Sequence, residues 1–431
     1  METSKANVFS LRNFRLVFLG ALVSDLGTVL YSFAVSFYLL EISGNNAFLQ
    51  GLYLALCGVV NLLATPIGGV LGDRFNKGKI MFLCDYGKGA VILLATAAMF
   101  LLRDPAAHIP VLFAAGILGN IISGIFSPAA GALMPHIVEE DQLQQANSYL
   151  SVKNALQSIL GVVLAGVLYA AMPIQPLFLL VGICYVISGV SEMFIRYDHK
   201  PSQESLTLSL ALRDMGDGLS YIRSQGGLMA LMAAILFINF FMTPVFSNFM
   251  PYFVKTDIAG AESYLFDSFL TPELWSSVVD VILGLATLAA SVFMSTRKQA
   301  DKVGGYTARV LCVMALVMAG LAGAYWGLVD RGLSLNAFLI VLCLGGALSG
   351  FLIPCINIPI GTTLMRIVDR DKLSKVDSVI SIVSQGLTPI ASVLAGLVLQ
   401  GLGTTAMLAI CAAGFAATAL FMLLSKNVKS I

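Results

Sequence analysis

One acid, Asp25, stands inside the run ALVSDLGTVLYSFAVSFYLL at residues 21–40, whose other members are apolar, aromatic or small. An ionised carboxylate in such a run costs several kcal/mol if lipid surrounds it, so it is either partnered or put to work. Asp25 lies about ten residues beyond Arg15, about 15 Å along a helix rising about 1.5 Å per residue, which brings it near a bilayer midplane. Reversible protonation is the chemistry a carboxylate offers at that depth. The plainer alternative is an acid fixed permanently by a base such as Lys153. That lysine has three open roles: a pair with Asp25, contact with an anionic substrate, or snorkelling to the inner interface. The remaining charges in apolar runs read as structural. Asp85 and Lys88 are neighbours on one helix face, Glu192 lies near the end of its run, and Asp280 and Glu41 mark the outer interface.

Other chemistries find no support. The cysteines at 57, 84, 184, 312, 343, 355 and 411 all fall in apolar runs without a C-x-x-C and read as small hydrophobes. His108, His136 and His199 are scattered and make no metal constellation. There is no G-x-x-x-x-G-K-S/T or G-x-G-x-x-G for a nucleotide, and no H-E-x-x-H or G-x-S-x-G for hydrolysis. No catalytic residue, metal or cofactor is expected, and the chain is not read as an enzyme. A net charge of +1 gives no electrostatic case for nucleic acid.

The elements that hold Asp25 and Lys153 follow from composition. Of the 431 residues 58% are hydrophobic and 11% charged, with a mean hydropathy of +0.88. That is an integral membrane protein. The polar first residues run straight into a full-length span, so no cleavable signal is expected. Apolar runs of spanning length fall near 15–40, 48–71, 80–102, 109–134, 143–171 and 176–196. A second set falls near 227–254, 275–295, 306–329, 335–361, 376–400 and 404–424. The expected fold is all-α, with twelve transmembrane helices in two six-helix bundles, 1–197 and 227–431. A linker at 198–226, carrying a short amphipathic helix, joins them. Lys and Arg gather on alternate loops, and only Arg103, Lys255 and Arg331 fall in the others, so both termini are expected in the cytoplasm.

The halves are related. LMPHIVEEDQL at 133–143 returns as LMRIVDRDKL at 364–373, and VVLAGVL at 162–168 faces SVLAGLV at 392–398 at the same offset. Pro128 and Pro359 nearly keep that offset, and Asp73-Arg74 matches Asp301-Lys302. Four matches in register predict a duplicated six-span unit and pseudo-symmetric bundles, the plan of rocker-type secondary transporters. Lys153 has Val383 as its counterpart, so the scaffold does not demand a base there.

Between the second and third spans lies GGVLGDRFNKGKIM, 68–81. It resembles the loop motif G-x-x-x-D-R/K-x-G-R/K-R/K of the major facilitator superfamily, matched by Gly69, Asp73, Arg74, Lys77 and Lys79. Asn76 replaces the second glycine, and Gly78 replaces a base. A glycine allows close helix packing, the acid can accept from a helix N-terminus, and the bases hold the loop at the headgroups. The resemblance implies a cytoplasmic gate latch, weakly echoed at Asp301 and Lys302 without the leading glycine. An ordinary positively charged loop is the plainer alternative.

Within that superfamily, YSFA at 31–34, SPAAGALMPHIVEEDQLQQANSYLS at 127–151 and LRDMGDGLSYIRSQGGL at 212–228 are similar to the drug-exporting subfamily that includes macrolide efflux proteins. Siderophore exporters and lysophospholipid transporters carry looser versions. Members often place an acid where this chain has Thr28, and Asp25 lies one turn earlier on the expected same face. The span-five pattern G-P-x-x-G-G of antiporters is only weakly matched by GVVLAG at 161–166.

The resemblance implies a central cavity lined in the first half by Tyr31, Asn61, Asn120, Lys153, Asn154 and Gln157. Its second half would add Asn239, Phe240, Asn357 and Gln385. Each polar member serves equally as a helix–helix hydrogen bond. A large apolar cavity with sparse polar handles suits a lipophilic or amphipathic small molecule. The expectation is a secondary active transporter in a bacterial cytoplasmic membrane, monomeric and surrounded by lipid. It exports such molecules by alternating access, driven by the proton gradient, with Asp25 carrying the proton. A lipid, lysophospholipid or siderophore transporter of the same superfamily is the alternative.

Overall fold

In lipid every backbone polar group must bond within its own segment, so long apolar runs become helices. The computed structural model follows this rule. It describes residues 7–139, 142–197, 208–296, 302–368 and 373–425.

The first unit comprises residues 1–42 and 56–211. Its helices are α1 (Arg12–Ile42), α2 (Ala47–Arg74), α3 (Lys77–Leu101), α4 (His108–Ile137), α5 (Leu143–Leu156), α6 (Val162–Ala171) and α7 (Ile174–Met193). A π-turn, Gln157–Gly161, joins α5 to α6, so both belong to one span. Helix α7 packs on α1 and α3, and α3 also packs on α4. The crossing of α2 and α4 is tight: a Cβ on Gly68 would lie 2.6 Å from Ile125 Cα, and one on Gly124 would lie 2.7 Å from the Ala64 side chain.

The second unit comprises residues 43–55 and 212–431. It contains α8 (Leu208–Ser224) in part, α9 (Gly226–Thr243), α10 (Met250–Phe253), α11 (Pro272–Ser295), α12 (Val303–Tyr325), α13 (Leu335–Ile367), α14 (Leu373–Gly386) and α15 (Thr388–Leu424). The opening residues of α2 seat here, with the Ala47 N–H donating to Gln400 Oε1 at 2.9 Å. Helix α9 runs through π-turns and α10 to Ile258 as one span, Gly226–Ile258. The linker helix α8 sends Ile222 into a core with Leu228, Met232, Val376 and Val379.

Among the described residues, eleven helices are long and apolar enough to cross a membrane, where twelve runs are expected from sequence. The difference sits in the last one. Ile382–Leu424 has 43 residues and would be about 65 Å long if straight, twice a ~30 Å hydrocarbon core. It breaks at Gly403, whose φ of 83° is open to glycine at little cost. The stretch is therefore two spans meeting at a glycine corner.

Candidate functional site

Helix α1 carries Asp25 between two neighbours. On one side Gly161, in the π-turn of span five, sits against Leu26 and Val29; on the other Gly27 sits against Val181 and Cys184 of α7. Small residues bring the backbones close enough for side chains to meet across them. Lys153 Nζ donates to Asp25 Oδ2 in an ion pair. Of the roles open to Lys153, the structure takes the pair, and the lysine does not snorkel. Its side chain is 11% exposed and that of Asp25 29%, so the carboxylate keeps an open side.

Thr28 serves a different neighbour. Its Oγ1 bonds the Ser24 carbonyl at 2.9 Å and Tyr185 Oη of α7 at 2.9 Å. The expected shared face of Asp25 and Thr28 is thus divided between span five and α7.

Within each unit the polar cavity candidates differ in partner and exposure. Asn61 Nδ2 donates to the Asn120 carbonyl at 3.1 Å, and Asn120 Nδ2 donates to the Gly116 carbonyl at 2.9 Å. These two fasten α2 to α4. Tyr31 is buried with its ring 5.2 Å from Phe178. Asn239 Nδ2 turns back to the Ile235 carbonyl at 2.9 Å, and Phe240 meets Phe241 edge to face at 5.1 Å. Asn154, Asn357 and Gln385 are exposed, and Gln157 is half-buried within the π-turn. Among the cavity candidates, the structure brings Lys153 to Asp25 and Asn61 to Asn120.

The loop motif is partly corrected. A Cβ on Gly69 would meet nothing within 4 Å, so the close crossing belongs to its neighbour Gly68. One residue is about a 100° turn of the helix, which is why the two glycines face differently. Asn76, the departure from the motif, caps α3 by accepting from the Lys79 N–H at 3.1 Å. Arg74, Lys79 and Lys302 are exposed, whereas Lys77 is buried rather than reaching outward. The Lys77 N–H donates to Tyr197 Oη at 2.7 Å. Burial pushes the Tyr197 phenol up from its ordinary pKa, against the lowering effect of the Lys77 and Gly78 backbone groups. The Asp73 side chain and all of Asp301 lie outside the described residues.

The charges read as structural converge. Asp85 and Lys88 of α3 and Glu192 of α7 are all buried, within Coulombic range of one another and of Asp25. Each lies in an ordinary helical context, and no short motif joins α3 to α7; the only local signal is the Asp85/Lys88 spacing.

The sequence model of the Major Facilitator Superfamily matches residues 17–385. The chain belongs to that superfamily. Among its relatives, the uncharacterized MFS-type transporter YvqJ of Bacillus subtilis is 23% identical over 403 residues, covering 93% of this chain and 89% of its own. Macrolide efflux protein A of Streptococcus pyogenes is 21% identical over 350 residues, covering 79% and 78%. A bacterial homologue of the iron transporter ferroportin, solved in an inward-facing state, superposes with a TM-score of 0.71 at 16% identity, covering 96% of this chain and 98% of that one. A D-xylose–proton symporter gives 0.71 at 15%, covering 99% and 100%. At these identities the structures speak for the fold alone. The protein is a multi-pass membrane transporter and not an enzyme.

Proposed function

We propose that this transporter is a proton-driven exporter of lipophilic or amphipathic small molecules, working by rocker-switch alternating access. The observation that carries the reading is the Asp25–Lys153 pair between α1 and span five, with the acid still partly open. Protonation of Asp25 frees Lys153, and deprotonation restores the pair, so proton binding and helix contact are alternatives. The similarity to macrolide efflux protein A supports a drug-like substrate and outward transport. Lys153 is already engaged by a carboxylate, which weighs against an anionic lipid headgroup as the usual ligand. In this reading both termini are cytoplasmic, the loop at 73–79 latches the inner gate, the membrane is the bacterial cytoplasmic one, and a monomer needs only the proton gradient.

The test is efflux of a macrolide and of lipophilic cations from proteoliposomes under an imposed pH gradient. Gradient-driven efflux is expected in wild type and lost in Asp25→Asn. Full efflux in Asp25→Asn overturns the coupling role. Transport of lysophospholipid in place of the drugs overturns the substrate class.

A further inference from the structure

The strongest unexplained feature lies away from the Asp25–Lys153 pair, in the seam where α7 packs on α1 and α3. Glu192 of α7 is 1% exposed, and neither of its carboxylate oxygens has a hydrogen-bond partner. Asp85 of α3 is equally buried, with Oδ2 unpartnered. Ser188, one turn before Glu192, is fully buried; its Oγ lies near Asp85 without a well-formed bond and has no other partner. The Ser188 and Glu192 side chains close over α1: a Cβ on Gly20 would meet Ser188 Oγ at 3.3 Å and Glu192 Cγ at 3.4 Å. Ser191 Oγ fastens the seam by donating to the Leu16 carbonyl at 3.0 Å.

The charges facing this spot do not balance. Helix α3 contributes Asp85, Lys88 and the thiol of Cys84; α7 contributes Glu192 and the phenol of Tyr185; α1 contributes Asp25. Asp25 is engaged by Lys153. That leaves Lys88 to answer two carboxylates, and its ammonium is shared with the aromatic faces of Tyr185 at 5.2 Å and Phe126 at 5.7 Å. With every group ionised, the seam holds one uncompensated negative charge among apolar helices. An unpaired buried charge is strongly destabilising, and an unpartnered carboxylate removes that cost by taking a proton. A metal ion would need oxygen ligands in number and room to stand. The described residues include no group of three or more His, Cys, Asp or Glu placed to hold one, and Lys88 already supplies the local cation. A proton needs neither.

We infer that Glu192 is a second proton-binding site of this transporter, set in the α1–α3–α7 seam and shared electrostatically with Asp85 and Lys88. Uptake converts the carboxylate and a hydronium ion into the neutral acid and one water; release to water reverses it. At 1% exposure Glu192 meets water only when α7 parts from α1 at Gly20 and Ser188, so its proton exchanges only as the helices move. This gives the seam a cost of opening that depends on pH. The inference rests on the proton-driven reading only for the use made of that proton, since binding is testable without substrate.

Infrared difference spectra of the full-length protein in liposomes, recorded on stepping the pH, read the site directly. Wild type is expected to show a protonated-carboxyl stretching band that disappears as pH rises. The band should be absent in Glu192→Gln and retained in Asp25→Asn. Glu192→Asp keeps the acid on a side chain one methylene shorter, and should shift the band while leaving it titratable; this arm decides the matter if Glu192→Gln does not fold. No pH-sensitive band in wild type overturns the inference, as does its survival in folded Glu192→Gln or an unshifted band in Glu192→Asp. Replacing sodium by potassium should leave the spectra unchanged, and a sodium-dependent change overturns proton binding in favour of a metal cation. Should Asp25→Asn keep full gradient-driven efflux while the Glu192 band titrates, only the role proposed for Asp25 fails.

Discussion

The two units repeat their helix crossings and differ in their charges. In the first, α2 crosses α4 at Gly68 and Gly124, with Asn61 donating to the Asn120 carbonyl. In the second, α11 crosses α13 where a Cβ on Gly350 would lie 2.3 Å from the Leu283 carbonyl oxygen, with Thr287 donating to the Gly350 carbonyl at 3.0 Å. A glycine that admits a backbone, and a side chain that bonds the same neighbour, appear in both. The charges are not duplicated. The first unit holds Asp25, Lys153, Asp85, Lys88 and Glu192 within or beside its packed seams. In the second, two acids near the end of the α9 span and the start of α11 are satisfied locally: Glu273 pairs with Lys255 at 2.9 Å, and Asp257 accepts from Tyr325 at 2.8 Å and Thr256 at 2.6 Å. Around them lies an aromatic core, with Phe253 and Tyr325 both 5.2 Å from Phe338. Packing geometry is kept by both copies, while the Asp25–Lys153 pair and the buried group of Asp85, Lys88 and Glu192 belong to the first.

That contrast is open to direct attack. The largest effect is on transport: Asp25→Asn should reduce gradient-driven efflux to background, and Asp257→Asn should preserve coupling. The reverse pattern in the proteoliposome assay would place the switch in the wrong unit. Next come the crossings. Gly68→Ala and Gly350→Ala each force backbones apart and should cost about 1–3 kcal/mol in unfolding experiments, whereas Gly69→Ala faces open space and should stay within about 0.5 kcal/mol. If only one unit suffers, the crossings are not equivalent. Lys153→Met leaves Asp25 alone but partly open to water, for an expected loss of about 1–2 kcal/mol. The double variant with Asp25→Asn should recover much of it, a non-additivity that a structural lysine without this partner would not show. The smallest effect is Tyr325→Phe, which removes one bond to Asp257 for about 1 kcal/mol and leaves efflux pH-driven. Loss of coupling there would erase the distinction between the units.

Much of this molecule is legible in its sequence. The apolar runs, the offset between LMPHIVEEDQL and LMRIVDRDKL, and the GGVLGDRFNKGKIM loop suffice for the helices, the duplication and the superfamily. Those features are local or periodic, and lipid enforces them because no other backbone arrangement is tolerated there. Asp25 also declares itself, since its cost in an apolar run is visible one residue at a time.

Partnership is not local, and only the tertiary structure decided it. Lys153 turns to Asp25 because span five passes close to α1 at Gly161. Gly68 rather than Gly69 meets α4, since the rotation of α2 about its axis depends on what it packs against. Along the chain, Asp85 and Lys88 read as a structural pair on one helix face, and Glu192 as a separate charge near the end of its run. They become one buried, unbalanced group when α7 packs on α3 and closes on Gly20 of α1. The physical reason is the same in each case: sequence periodicity says which residues share a helix face, and only packing says what that face meets.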